Sequence, residues 1–145
     1  MKILFCVSII SVLALFVYPA LADDRPRTTE EVLKAHHDNV LSGDIEAVLN
    51  DYTDSAVIIL PTGRIEGKDA LRKFFEERFP EYVSPDFSYT ITTSHVGGDV
   101  AFIVWTGESA DRIYDHVADT MVVRDGKIVT QAACARVRPK TAGQQ

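Results

Sequence analysis

The segment SGDIEAVLNDYTDSAVIILPTGRIEGKDALRKFF, residues 42–75, decides the fold. Ser42-Gly43-Asp44 has the chemistry of a helix junction, because Gly tolerates the left-handed conformation that closes one helix and Asp caps the next. Ile45, Val48, Leu49 and Tyr52 then recur at helical spacing, which predicts a short helix with the Tyr52 ring turned inward. Ala56 to Leu60 is an apolar run between Asp54-Ser55 and Pro61-Thr62-Gly63 and reads as a buried strand followed by a turn. Arg64-Ile65-Glu66 forms a second short strand. Gly67-Lys68-Asp69 opens a third helix whose apolar positions Ala70, Leu71, Phe74, Phe75 and Phe79 keep their spacing until Pro80 ends it, and 81–86 reads as a loop.

Working outward towards the N-terminus, Thr28 and Glu31 form an S/T-x-x-E capping box for a helix that Gly43 stops. On its apolar sector, with Val32, Leu33, Val40 and Leu41, His36 lies near the centre and His37 near the edge. Towards the C-terminus the period changes to two. Turn signals at Gly97-Gly98-Asp99, 108–111 and Asp125-Gly126 divide the chain into strands over 87–96, 100–108, 112–124 and 127–138. The expectation is an α+β domain over 28–138, in which a curved antiparallel sheet packs on three N-terminal helices and encloses a pocket.

The ends read differently. Lys2, the apolar run that follows and Ala20-Leu21-Ala22 make 1–22 a signal peptide, with export to the periplasm or the medium and no membrane association after cleavage. Residues 23–27 form a flexible lead-in and 139–145 a disordered tail. Removing Lys2 leaves 14 basic against 21 acidic residues, a formal charge of −7, which repels nucleic acid and anionic membranes. Cys134 is then the only cysteine, so no internal disulfide forms, and it reads as a small buried hydrophobe.

The polar residues expected to face the pocket carry the functional question. Alternation along 114–124 places Asp119 on one face with Val117, Met121 and Val123. Desolvation there favours a neutral carboxyl that donates a hydrogen bond to a ligand oxygen; the alternative is a carboxylate paired with Arg or a backbone N–H. A buried His36 can donate to a carbonyl or take a proton, or be a satisfied core residue. Tyr52 and Trp105 each offer an apolar body with a polar tip. Zincin, CxxC, phosphate-loop and G-x-S-x-G motifs are missing from the sequence. Adjacent His36-His37-Asp38 diverge on a helix and cannot all face one ion, and His95 beside a turn reads as solvated. No metal and no cofactor are expected.

Three segments, GDIEAVLNDYTDSAVIILPTGRIEGKDALRKFF (43–75), GGDVAFIVWTGE (97–108) and DTMVVRDGKIVTQ (119–131), resemble the SnoaL-like and ketosteroid-isomerase-like branch of the nuclear transport factor two superfamily. The resemblance implies a cone-shaped α+β barrel with a pocket at its open end and frequent homodimers. Asp119 matches the oxyanion-hole Asp of the isomerases and His36 their oxyanion Tyr. Leu60 stands where they have the catalytic base and carries no proton-transfer group. The expectation is therefore an exported domain that binds a small, largely apolar molecule bearing a carbonyl or hydroxyl. His36 and Asp119 are its catalytic candidates, and Tyr52, Leu60, Phe75, Trp105, Met121 and Gln131 its ligand-binding ones. Its activity would be of isomerase, cyclase or dehydratase type. The alternative is a non-catalytic dimerisation or partner-binding module with a filled cavity.

Overall fold

The computed structural model describes residues 25–140, so the expected signal peptide and most of the expected tail lie outside the described residues. Helix α1 (Thr29–Ser42) opens on the capping box: the Thr28 hydroxyl accepts from the Glu31 N–H, and the Glu31 carboxylate accepts from the Thr28 N–H. Gly43 closes it at φ 72°, the left-handed region that favours glycine. Asp44 then caps α2 (Ile45–Asp51) by accepting from the Ala47 N–H at 3.0 Å.

Tyr52 ends α2 and begins β1 (Tyr52–Leu60), so the strand starts four residues before the apolar run that predicted it. Strand β2 (Gly63–Glu66) pairs back on β1, and α3 (Lys68–Glu76) buries Leu71 and Phe75. Instead of a helix running to Pro80 and a loop after it, α3 stops at Glu76 and a short α4 (Phe79–Tyr82) follows. Pro80 sits in the first turn of α4, where the missing N–H has no helical partner to lose.

Strands β3 (Ser88–Gly97), β4 (Val100–Glu108), β5 (Arg112–Arg124) and β6 (Lys127–Pro139) form the expected antiparallel meander. The six-stranded sheet has the order β2-β1-β6-β5-β4-β3 and is mixed and open, because β1 lies parallel to β6 with Ile58 opposite Gln131. The helices cover one face, and Val32, Val48, Tyr52, Ile58, Leu71, Ile103 and Ile128 are fully buried in the core between the layers.

The described ends make contacts, and one expectation, a buried Cys134, is corrected. At the N-terminal end Arg25 holds Glu31, and Arg27 donates to Asp51 at 2.8 Å and to the Gly126 carbonyl at 2.9 Å. At the other end Pro139 belongs to β6 and the Lys140 N–H donates to the Asp111 carbonyl at 2.8 Å. Cys134 is exposed. It pairs in register with Ala118, between Ala133 and Ala135 whose side chains face the helices, so the pleat turns it outward.

Gly43 tests the helix junction. A β-carbon there would lie 2.7 Å from Val83 Cγ1 as well as strain the left-handed backbone. Gly43→Ala is expected to lower stability by about 1–2 kcal/mol, read as a lower urea midpoint at unchanged m-value.

Candidate functional site

The pleat of β5 and β6 builds the site. Arg112, Tyr114, Val117, Asp119 and Met121 on β5, with Gln131, Ala133, Ala135 and Val137 on β6, face a cavity of about 560 Å³ under the helices. Register orders these residues by depth: Val137 lies opposite Tyr114, Ala135 opposite Val117, Ala133 opposite Asp119 and Gln131 opposite Met121. Exposed Leu41 and Val137 mark the mouth, and buried Asp119, Met121 and Gln131 the closed end. Small Ala133 and Ala135 leave the intervening space open.

The polar groups at the closed end satisfy one another. Asp119, 7% exposed, accepts from the Trp105 indole N–H at 2.8 Å and from the Gln131 amide N–H at 3.0 Å. The Tyr52 hydroxyl donates to the Gln131 carbonyl and lies 3.4 Å from His36 Nε2. Burial, with the carboxylates of Asp119 and Asp51 nearby, holds the Tyr52 phenol well above its ordinary range, so it is a neutral donor. His36 Nδ1 faces Asp51 Oδ2 at 3.5 Å. Both imidazole nitrogens are thus directed at protein groups, although the ring itself lines the cavity.

Asp51 escaped the sequence reading. It is 1% exposed at the end of α2 and accepts from Arg27 at 2.8 Å and Asn39 at 2.9 Å. Burial pushes its carboxyl up, but the facing His36 imidazole and the bonds from Arg27 and Asn39 outweigh that and leave it below the usual carboxylate range. A signal was present: Val48, Asp51 and Tyr52 share the i, i+3, i+4 face that was assigned inward.

His37 was also missed. It lines the cavity with its Nε2 2.8 Å from the Tyr89 hydroxyl, and Tyr89 packs on Trp105 at 5.0 Å between ring centroids. Burial and the neighbouring His36 lower His37 from an ordinary 6.5 to about 4, so the ring is neutral. The mouth adds Arg78, stacked 3.6 Å over the Phe74 ring, and Arg112, which meets Glu81 at 3.1 Å. Arg78 precedes α4, Glu81 belongs to it and Arg112 opens β5; the strand was expected, but the short helix that brings Glu81 to it was not.

Of the residues singled out by sequence, His36, Leu60, Phe75, Trp105, Asp119, Met121 and Gln131 all line this one cavity. Tyr52 does not stand among the lining residues; it lies one layer behind and acts on the wall through Gln131. His95 is exposed.

Residues 33–131 match the family model of the SnoaL-like domain. Against curated proteins the sequence has no match. Among solved structures, an NTF-2 like protein of unknown function from Burkholderia xenovorans superposes with a TM-score of 0.64 at 20% identity, covering 79% of this chain and 88% of that one. The epoxide hydrolase/cyclase-like enzyme SalBIII, of pyran ring formation in the polyether salinomycin, gives 0.64 at 16% identity, over 77% of this chain and 95% of its own. A de novo designed protein with a curved β-sheet gives 0.63 at 14% identity, over 74% and 84%. At such identities the likeness is one of fold.

Two outcomes test this geometry. Asp51→Ala leaves Arg27, Asn39 and His36 without their common acceptor and is expected to cost about 3 kcal/mol in urea unfolding. His37 binds a proton more readily unfolded than folded, so the stability it contributes is full above pH 6.5 and is lost as pH falls towards 4. NMR titration of its ring should show a midpoint near pH 4.

Proposed function

This chain belongs to the SnoaL-like domain family, and on that premise we propose that its cavity binds a small, largely apolar molecule whose carbonyl or hydroxyl oxygen is received at the closed end beside Asp119. The observation that carries this reading is the distribution of polarity. Ile58, Leu60, Phe75, Val117, Met121 and two alanines supply apolar wall, while hydrogen-bonding groups gather around one buried carboxyl. A volume of about 560 Å³ falls within the range of small-molecule sites.

Asp119 is the titratable group placed to touch such an oxygen, with Trp105 and Gln131 fixing its orientation. His36 is linked to it through Tyr52 and Gln131. The activity that fits is cofactor-free proton transfer of isomerase, cyclase or dehydratase type, centred on Asp119. Leu60 lines the wall as a hydrocarbon, so a proton shuttle through that position is not part of the reading.

We further propose export, with the mature chain beginning at Asp23. Mass spectrometry of the periplasmic or secreted fraction should find that N-terminus, and an intact Met1 there would refute it. A second reading, a dimerisation module, draws support from the outer sheet face, on which Ile59, Val100 and Cys134 are exposed. Light scattering at micromolar concentration separates dimer from monomer.

Trp105, the single tryptophan, is a built-in reporter because it lines the cavity and holds Asp119. Apolar carbonyl compounds should change its emission saturably. Asp119→Ala should weaken that binding about tenfold to a hundredfold, the worth of one hydrogen bond to a charged group. Ala135→Trp should abolish it in a folded protein by filling the channel. A panel that leaves the emission and the NMR spectrum of the wild type unchanged would sink the binding reading.

A further inference from the structure

We propose that Gln131 is a positioning residue that ties the protonation of Asp119 to that of His36, the two being joined through Gln131 and Tyr52. The functional use of this coupling rests on the reading of Asp119 above; the coupling itself concerns the ligand-free protein.

One donor that cannot accept sets the direction of every bond along the chain. Trp105 Nε1 is a donor with no acceptor capacity, so Asp119 Oδ2, 2.8 Å away, must accept. The state of the other oxygen then sets the rest of the chain. If Asp119 is a carboxylate, Oδ1 accepts from the Gln131 N–H at 3.0 Å. The Gln131 carbonyl therefore faces Tyr52 and accepts from its hydroxyl. With its proton so directed, the Tyr52 oxygen presents a lone pair to His36 Nε2, 3.4 Å away, which must then carry hydrogen to be satisfied. Nδ1 faces the Asp51 carboxylate at 3.5 Å and carries hydrogen too. This arrangement holds an Asp119 carboxylate with an imidazolium at His36.

The reverse arrangement is equally consistent. Asp119 protonated on Oδ1 donates to the Gln131 carbonyl, the Gln131 N–H donates to the Tyr52 oxygen, and the Tyr52 hydroxyl donates to a bare Nε2. His36 is then neutral, with hydrogen on Nδ1 towards Asp51. The two arrangements contain the same number of protons; they differ by one proton moved from His36 to Asp119, a half-turn of the Gln131 amide and a rotated Tyr52 hydroxyl. The amide passes no proton. Asp119 receives its proton from the cavity, and the one that leaves His36 Nε2 is lost by exchange with solvent.

The surroundings of His36 keep the two arrangements distinct. On α1, neutral His37 is its neighbour and Asn39 is bonded to Asp51; from α2 comes Asp51 itself, anchored by Arg27; from β1 comes Tyr52; α3 contributes the uncharged Phe75 ring at 6.1 Å. Asp51 is pinned by donors from Arg27 and Asn39 in both arrangements. Variation at His36 is therefore governed by the Tyr52 side, and the amide there is read by Asp119. A ligand that needs Asp119 as donor selects one arrangement, and one that needs it as acceptor selects the other.

The test uses ring ¹⁵N spectra of His36 in the full-length mature protein, without ligand, between pH 4 and 8. In Asp119→Asn the new amide must turn its oxygen to Trp105 and its N–H₂ to Gln131, which imposes the second arrangement. The His36 midpoint should fall by about one pH unit or more, a tenfold loss of proton affinity. Loss of a negative charge alone also lowers that midpoint, so the deciding comparison is the same substitution with Gln131→Met, of similar length. If Gln131 carries the coupling, the shift is at least halved in that background; an equal shift in both backgrounds overturns the proposal. A second measurement in the wild type needs no variant: the Gln131 side-chain amide resonances should move with the same midpoint as the Asp119 carboxyl carbon, and separate midpoints would equally overturn it. A cavity that binds none of the tested compounds would refute the binding reading and leave this coupling standing.

Discussion

Burying the carboxylate of Asp51 constrains more of this molecule than any other single interaction. The group is 1% exposed at the C-terminal end of α2, where the helix dipole adds negative potential, and an unpaired charge there would cost several kcal/mol. Its partners come from separate parts of the chain: Arg27 from the segment before α1, and Asn39 and His36 from α1. Meeting all three fixes the rotation of α1 about its own axis, because residues three apart must point at one acceptor. That rotation puts the His36 ring against the cavity and its nitrogens against protein, and leaves His37 to reach Tyr89. Arg27 also bonds the Gly126 carbonyl, so the same charge clamps the lead-in onto the β5–β6 turn.

The cavity itself depends on the pleat. Two long neighbouring strands present alternate residues to the helices, and on β6 two of those residues are alanine. Space is left where side chains are short, and the walls around it are rigid because Ile58, Met121 and Phe75 belong to the packed core. At the closed end the polar atoms are already paired with one another. Under the proposed reading, an incoming oxygen would join a formed network instead of assembling one, an arrangement that lowers the entropy cost of binding.

Much of this was legible in the sequence because it is local. The capping box, the left-handed Gly43, the Asp44 cap and the period-two strands all depend on residues within a turn of each other. Asp119 was legible by parity, and the same parity, carried from Gln131 along β6, places Cys134 outward; reading the cysteine by its average burial instead of its pleat position caused that error. The parallel pairing of β1 with β6 joins segments some seventy residues apart in sequence, and no local pattern announces it. Asp51 was legible in position but not in meaning, since its partners Arg27 and Asn39 are assembled only by the tertiary fold. The mouth was least legible, because α4 formed where Pro80 suggested an end and carried Glu81 to Arg112.

The fold sets the container and leaves the chemistry open. An epoxide hydrolase/cyclase-like enzyme and a designed protein superpose on this chain almost equally well, so the scaffold alone cannot carry a reaction. In this cavity one buried carboxyl and one imidazole both line the wall, but the imidazole turns its nitrogens to protein and is separated from the carboxyl by a phenol and an amide. An amide orients protons but does not relay them. Under the proposed reading, proton exchange with a bound molecule would fall to Asp119, because both His36 nitrogens are turned to Tyr52 and Asp51. The structure brings His36 and Asp119 to one cavity and joins them only through Tyr52 and Gln131.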